Sequence, residues 1–507
     1  MIGEPRSSKE YLEAFMSHVN VPTFEIFPRT PFMQWATNGQ QKSLHDRLVL
    51  YAMMAFGSVH SEGQRRVSHR EAFKAVVYSA LDGIEATYRL ETVHVLLFMA
   101  FAEFADGQDQ KAYSLFARCM GAIAFLQLNV ERAAHHEEIA YGFSKSMYAE
   151  CCRRTYYAAT CTNAFAGIGK NDPRIMQNRD IFLRLPCTSE LYEKDTIPVL
   201  PVIDHEYIVP KGITTQEHIS IGEMAWLLQI ATICSEVQLN VWRYQNCLKL
   251  DRPYTSDRDN RQRLKAKLNW WRQVYDESRR LHENTNSREN SFNKRHHSSR
   301  SKFVVGLNLL FHYAHMELNK RVRHEDLGEK EIIEHAKEAN IHAIEVLKLA
   351  HQVQEQEELS MRDASVVTKG VLTGYAVLTA IDIITAAGKT ADILEPQSRI
   401  MSLMWSSSQL LEHSSTWWTS AKVQHALVKE RIQLIWQKAQ AAANEQKPYF
   451  YCSHPMVSLI DTNFDLIYGT NRKQYLKAAY GLHAVPGDFE ILSINTKDRE
   501  AHLRMSN

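Results

Sequence analysis

Two histidines three residues apart, His312 and His315, are the residues in this sequence best spaced to share a metal ion, because positions i and i+3 lie on one face of a helix. A metal site needs three or four ligands, and no third ligand adjoins them in the chain, so they are expected to be ordinary core or surface histidines. His135-His136-Glu137-Glu138 does not place two histidines one turn apart around a glutamate, and reads as a polar helix start or linker. Gly167-x-Gly169 precedes Lys170-Asn171-Asp172, lacks the third glycine of a dinucleotide fingerprint and follows a helical pattern, so it reads as a turn. There is no glycine-rich phosphate loop and no nucleophile elbow. The acidic clamp of a helical isoprenoid cyclase is missing too, since Glu355, Glu357 and Glu358 sit in a run typical of a solvated helix end. None of the eight cysteines is paired at the two-residue spacing of a zinc knuckle or redox motif.

The elements that would carry any site are helical. With 20 glycines and 14 prolines in 507 residues, the chain is poor in the punctuation that many tight β turns demand. Apolar residues recur at helical spacing over Leu44 to Val59, Phe73 to Ile84, Glu91 to Ala105, Tyr113 to Ala124, Met147 to Phe165, Ile219 to Val237 and Leu264 to Trp271. Later stretches predict helices near Phe303 to Arg321, Glu329 to Val353, Val366 to Ala387 and Ser420 to Ala443. Pro22, Pro28 and Pro31 break the pattern after a short first helix. Leu185 to Pro210, with four prolines, reads as an extended connection.

The fold class expected is therefore all-α, a large multi-helix body. Residues 1–210 form its first half and 211–445 its second. Residues 284–302, from Asn284 to Lys302, are polar and basic and are expected to be a mobile loop. The aromatic-rich tail 446–507 is expected to pack back on the body, with a short strand at Phe489 to Ile494. A net charge of +1 offers no large cationic surplus for duplex DNA. No apolar run is long enough to span a bilayer, and none resembles a signal peptide, so no membrane partner is expected.

The order of several fragments resembles one family, the fungal zinc-cluster transcription factors, in the middle homology region that follows their DNA-binding domain. Tyr11-Leu-Glu-Ala-Phe15, Phe24-x-x-Phe27 and Phe32 resemble its opening. Leu50 to Gly57, Leu90 to Leu97 and Ala112 to Leu128 are similar to its next three helices. Glu150-x-x-Arg153-Arg154-x-Tyr156-Tyr157 resembles the family's Glu-x-x-Arg-Arg-x-Trp-Trp helix, with Gly169, Asp180 and then Leu185-Pro186 in the places that follow. Both tryptophans are replaced by tyrosine, and Asn163 stands where the family often has aspartate. Leu307 to Leu318, with Tyr313, and Tyr375 to Ala380 are similar to later helices.

The resemblance implies a regulatory, effector-sensing domain of a nuclear transcription factor that controls metabolic or secondary-metabolite genes. It implies a small-molecule effector, a homodimer or a co-regulator protein as partners, and no enzymatic activity. Glu150, Arg153, Arg154, Tyr156, Tyr157, Gly169, Leu185 and Pro186 are then architectural. No catalytic or metal-binding residue is expected and no cofactor-binding residue can be named. Zinc would belong to a separate N-terminal cysteine cluster, and DNA would be reached through that domain or a partner. The alternatives are a helical scaffold or dimerisation protein of the same fold, of the kind used in kinetochore assembly, and an all-helical enzyme.

Overall fold

A computed structural model describes residues 5–61, 63, 65–131, 139–166, 181–204, 206–250, 257–286, 294–319, 329–359, 371–387 and 397–444. The described chain is all-α. Its contacts group into two compact units. Among the described residues, the first comprises those up to Phe311 with those of Glu355–Gly374 and Leu411–Val423, and the second comprises those of His312–Gln354 and Tyr375–Leu410 and those from Gln424 to Asn444.

In the first unit, α1 (Pro5–Ala14) runs on as a π-helix, Phe15–Phe24, straight through Pro22. It stops at Glu25, whose φ of 44° is left-handed and turns the chain away. The helix α2 (Arg29–Thr37) then begins behind Pro28, with Pro31 in its first turn, where no intrahelical N–H is lost. Helices α3 (Leu44–Gly57) and α4 (Arg66–Glu85) follow. Ser43 and Asp46 form a reciprocal capping box that fixes the start of α3.

The core is built around α5 (Leu90–Ala105). Apart from Phe101 and Phe104, every side chain on it is buried, so this helix is enclosed on all sides. It packs against α3 and against α6 (Asp109–Phe125). α1 lies so close to α3 that a Cβ on Gly57 would meet the Tyr11 carbonyl oxygen at 2.1 Å. Only glycine permits that approach.

Helix α7 (Lys145–Ala166) leads, beyond undescribed residues, to a segment with little helix from Ile181 to Ser220. This segment contains the short α8 (Ser189–Glu193) and α9 (Thr215–Ser220). Helix α10 (Glu223–Lys249) packs on α7 and on α11 (Asp257–Asn286). Residue 210, the expected meeting point of two halves, therefore lies inside the first unit, with α7 and α10 in contact across it. Helix α12 (Lys294–Asn319) starts inside the stretch expected to be a mobile loop, and residues 287–293 lie outside the described residues.

The second unit takes the end of α12 from His312 and most, but not all, of each of α13 (Glu329–Leu359), α14 (Val371–Ala387), α15 (Gln397–Ser414) and α16 (Thr419–Asn444). Its core includes Leu347, Val377, Ile381, Ile384, Leu403, Leu410 and Val428. Asp382 accepts a hydrogen bond from Arg431, and His351 shares one with Ser406 at 2.9 Å. The tail 446–507, including its expected strand, lies outside the described residues, as does Gly169. Among the described residues, no helix is long and apolar enough to cross a membrane.

Candidate functional site

Glu150, Arg153 and Arg154 occupy successive turns of α7, with spacings of three and four that put all three charges on one side. Glu150 and Arg154 are completely buried. Such burial is tolerable only when every charge is paired and the remaining hydrogen-bonding capacity is used. Both conditions hold here. Arg154 Nε donates to Glu150 Oε1 at 2.9 Å. One terminal nitrogen donates to the Glu25 carbonyl at 3.0 Å and to the Glu25 carboxylate at 2.8 Å. The other donates to the Cys187 carbonyl at 2.6 Å. The face of the guanidinium stacks on Tyr192, 4.4 Å from its centroid.

Glu150 is equally engaged. Besides Arg154, it accepts from the backbone N–H of Cys187 at 3.0 Å and from Arg153 at 2.6 Å. Arg153 reaches on to Glu131 with a two-pronged contact at 2.8 and 3.3 Å. Glu131 in turn accepts from the Arg184 N–H at 2.7 Å. Burial pushes the Glu150 carboxyl up, but the adjacent Arg154 and Arg153 charges outweigh it and hold it below the usual carboxylate range. Burial wins at Glu25, which is raised: Arg154 opposes it, yet this one cation already serves Glu150. Burial pulls Arg153 and Arg154 down, and their carboxylate partners more than restore them, so both stay protonated.

What the cluster holds is the extended segment after α7. Leu185 pairs with Pro201 through its N–H at 2.9 Å, and Pro186 accepts from the Gly222 N–H at 2.9 Å. Gly222 has no room for a side chain, because a Cβ would lie 2.1 Å from the Cys187 carbonyl oxygen. Tyr157 donates to the Arg184 carbonyl at 2.6 Å, and Tyr192 donates to the Ile26 carbonyl at 3.0 Å. Tyr156 and Tyr157 are both buried and meet edge to face. Glu193 takes the backbone N–H groups of Arg29 and Thr30, capping α2. The structure thus brings Glu150, Arg153, Arg154, Tyr157, Leu185 and Pro186 into one fastening. It joins the turn after the π-helix, the first part of the α6–α7 connection at Glu131, α7 and the chain around Cys187.

Sequence reasoning missed Glu25, Glu131, Cys187, Tyr192 and Gly222. Their partners are up to 166 residues away, so no local spacing points to them. Nor did it find His94. This fully buried imidazole contacts Tyr141 Oη through Nδ1 at 2.6 Å and Thr155 Oγ1 through Nε2 at 2.8 Å. Thr155 spends its single proton on the Cys151 carbonyl at 2.7 Å, so Nε2 must be the donor to it and Nδ1 the acceptor from Tyr141. Burial lowers the His94 pKa to about 3, so the ring is neutral.

In the second unit, α13 brings potential donor groups beside His312 and His315 that do not adjoin them in sequence. The His312 and His342 Nδ1 atoms are 2.8 Å apart, and ligand atoms of His315, Glu338 and His342 all lie within 4.8 Å of one another. Glu338 and His342 are four apart on α13, a spacing that could have flagged them. Five thiols are poor competitors for a metal: burial raises Cys119, Cys151, Cys161 and Cys187 above the normal range and Cys152 to about 12.

Residues 12–312, more than half of the chain, match the fungal specific transcription factor domain, and the protein belongs to that family. It is a regulatory domain of the fungal transcription factor type, a non-catalytic class. A transcription factor of Emericella nidulans is 26% identical over 140 residues, a stretch covering 27% of this chain and 21% of that protein. The match therefore spans about a fifth of the relative's length.

Proposed function

We propose that this chain is the effector-sensing regulatory body of a nuclear transcription regulator of metabolic or secondary-metabolite genes. In this reading DNA is reached through a separate zinc-cluster domain or a DNA-binding partner. The observation that carries the reading is the coincidence of the family match over residues 12–312 with the charged fastening centred on Arg154. A domain that restrains or releases an activator must hold one defined shape, and saturated buried charge is specific about shape. A small-molecule effector and a second copy of the chain or a co-regulator belong to the same proposal.

The test places the chain between a heterologous DNA-binding domain and an activation domain in a fungal reporter strain. Reporter output should fall several-fold relative to the fusion lacking the chain, and an Arg154→Met substitution should release it. The fusion should concentrate in the nucleus without an added import signal. Unchanged output with a stably expressed fusion would overturn the regulatory reading.

A further inference from the structure

We propose that His312 and His315 of α12, with Glu338 and His342 of α13, form a site for a divalent transition-metal ion, zinc being the best fit. The pairings across the two helices run in opposite order. His312 meets His342, His315 groups with Glu338 and His342, and Asn319 contacts His335 at 2.8 Å. Each step toward the end of α12 thus meets an earlier residue of α13, which defines an antiparallel pair. On α12 the ligands are three apart and on α13 four apart, so each helix turns two of them toward the other. Fully buried Ala339 and Ala343 flank the α13 ligands, and their small side chains let the helices come close.

The donor set decides the ion. Three imidazoles and one carboxylate suit zinc, which accepts nitrogen and oxygen ligands in a tetrahedron. They do not suit calcium or magnesium, which take oxygen. His315 is 2% exposed, and the other three are partly buried, so the position is shielded yet reachable.

Binding calls for a defined adjustment. Zinc–ligand bonds of about 2.0–2.2 Å put tetrahedral ligand atoms roughly 3.4 Å apart. Within the trio His315, Glu338 and His342, separations of up to 4.8 Å must close by up to about 1.4 Å; His312, held 2.8 Å from His342, must swing in from beside that trio, and its contact with His342 opens slightly. The His315 and His342 rings are stacked, 4.1 Å apart and 13° from parallel. Near-parallel rings keep their lone pairs in separate, near-parallel planes, so one imidazole must tilt for both to meet an ion. The metal then replaces the His312–His342 hydrogen bond with two nitrogen–metal bonds and clamps the α12–α13 pair.

The test uses the full chain, stripped with chelator and titrated with zinc against a chromophoric competitor. One zinc per chain with submicromolar affinity is expected, with a higher thermal midpoint on loading. His342→Ala and His315→Ala should each weaken binding by at least ~100-fold, the upper range of what even an outer-sphere partner costs. Glu338→Gln and His312→Gln, which preserve size and polarity, should weaken it by ~10-fold or more and serve where the alanine variants misfold. Cobalt in place of zinc should give the visible bands of a tetrahedral nitrogen–oxygen site without thiolate charge transfer. No stoichiometric zinc, undiminished binding in the folded variants, or a thiolate band that assigns the ion to cysteine would each overturn the proposal.

Discussion

The charge cluster of α7 and the histidine cluster of α12 and α13 solve opposite problems with buried polar groups. At Arg154 the cation is permanent, its donors are used, and its partners are carboxylates and backbone carbonyls fixed by other elements. Such an arrangement can lose a partner only at high cost. At His342 the donors are imidazoles, which can donate, accept, titrate or ligate. The first is built to stay in one state, and the second has more than one state available. The difference lies less in burial than in which side chain was placed there.

The largest expected effect breaks the first cluster. Arg154→Met leaves Glu150 and Glu25 without their shared cation, and removing one partner of a buried pair costs about 3–5 kcal/mol. Chemical denaturation, or loss of soluble protein, reads this out. Arg154→Lys should fail to rescue, because an ammonium keeps the charge but not the planar fork that serves three segments. Equal stability of the lysine variant would show that charge alone suffices.

A smaller loss is expected from Gly222→Ala. The added methyl would strike the Cys187 carbonyl, which cannot retreat easily because Arg154 holds the oxygen and Glu150 holds the N–H of the same residue. Overpacking of this kind costs about 1–3 kcal/mol. Denaturation midpoints of the variant alone and combined with Arg154→Lys would show whether the two losses are coupled, as a shared clamp requires.

Next comes pH, with His94 as the comparison imidazole. Its folded pKa of about 3 lies below the unfolded value near 6.5, so the unfolded chain binds more protons between the two. The stability this gives is complete above pH 6.5 and is lost as pH falls toward 3. By pH 5.5 the native chain should have lost about 1.4 kcal/mol through this residue. Urea midpoints at pH 7.5 and 5.5 should show that much less acid sensitivity in His94→Asn. An identical slope in both proteins would mean that His94 is not held neutral.

The smallest effect is expected where the sequence is most polar. Replacing residues 287–293 with a glycine–serine linker of equal length should change stability by less than about 0.5 kcal/mol. It should also leave zinc binding intact, although α12 follows directly and carries His312 and His315. A larger loss would show that this link makes native contacts.

The helices were legible where apolar residues repeat every turn. α5 and α7 lie within one or two residues of the spans expected from the spacing, Glu91 to Ala105 and Met147 to Phe165. Glu150, Arg153 and Arg154 were readable as architecture, since arginines on a buried helix must bond to something. What they bond to was not readable. Glu25 and Cys187 are loop residues whose roles are set by where the chain returns, not by their neighbours. Pro22 was read as a stop and instead lies inside a π-helix, whose wider hydrogen-bonding pattern is not encoded by the 3.6-residue repeat. α15 was missed because its serine-rich stretch, Ser406 to Ser408, hides a core face carried by Leu403, Leu410 and Leu411. Glu338 and His342 differ from Glu25 in this respect: their spacing of four on one helix is a local signal, and only their pairing with His312 and His315 across the chain is not.

The bond from Tyr192 to the Ile26 carbonyl spans 166 residues. At about 5–20 residues per second, a ribosome takes roughly 10–30 s to deliver the second partner after the first. For most of that interval Glu25 and the Ile26 carbonyl are outside the ribosome, while the Tyr192 hydroxyl and the Cys187 carbonyl that complete the fastening have not emerged. The nascent N-terminus is therefore expected to be a client for chaperones during synthesis. A frameshift ahead of residue 187 would leave it one permanently.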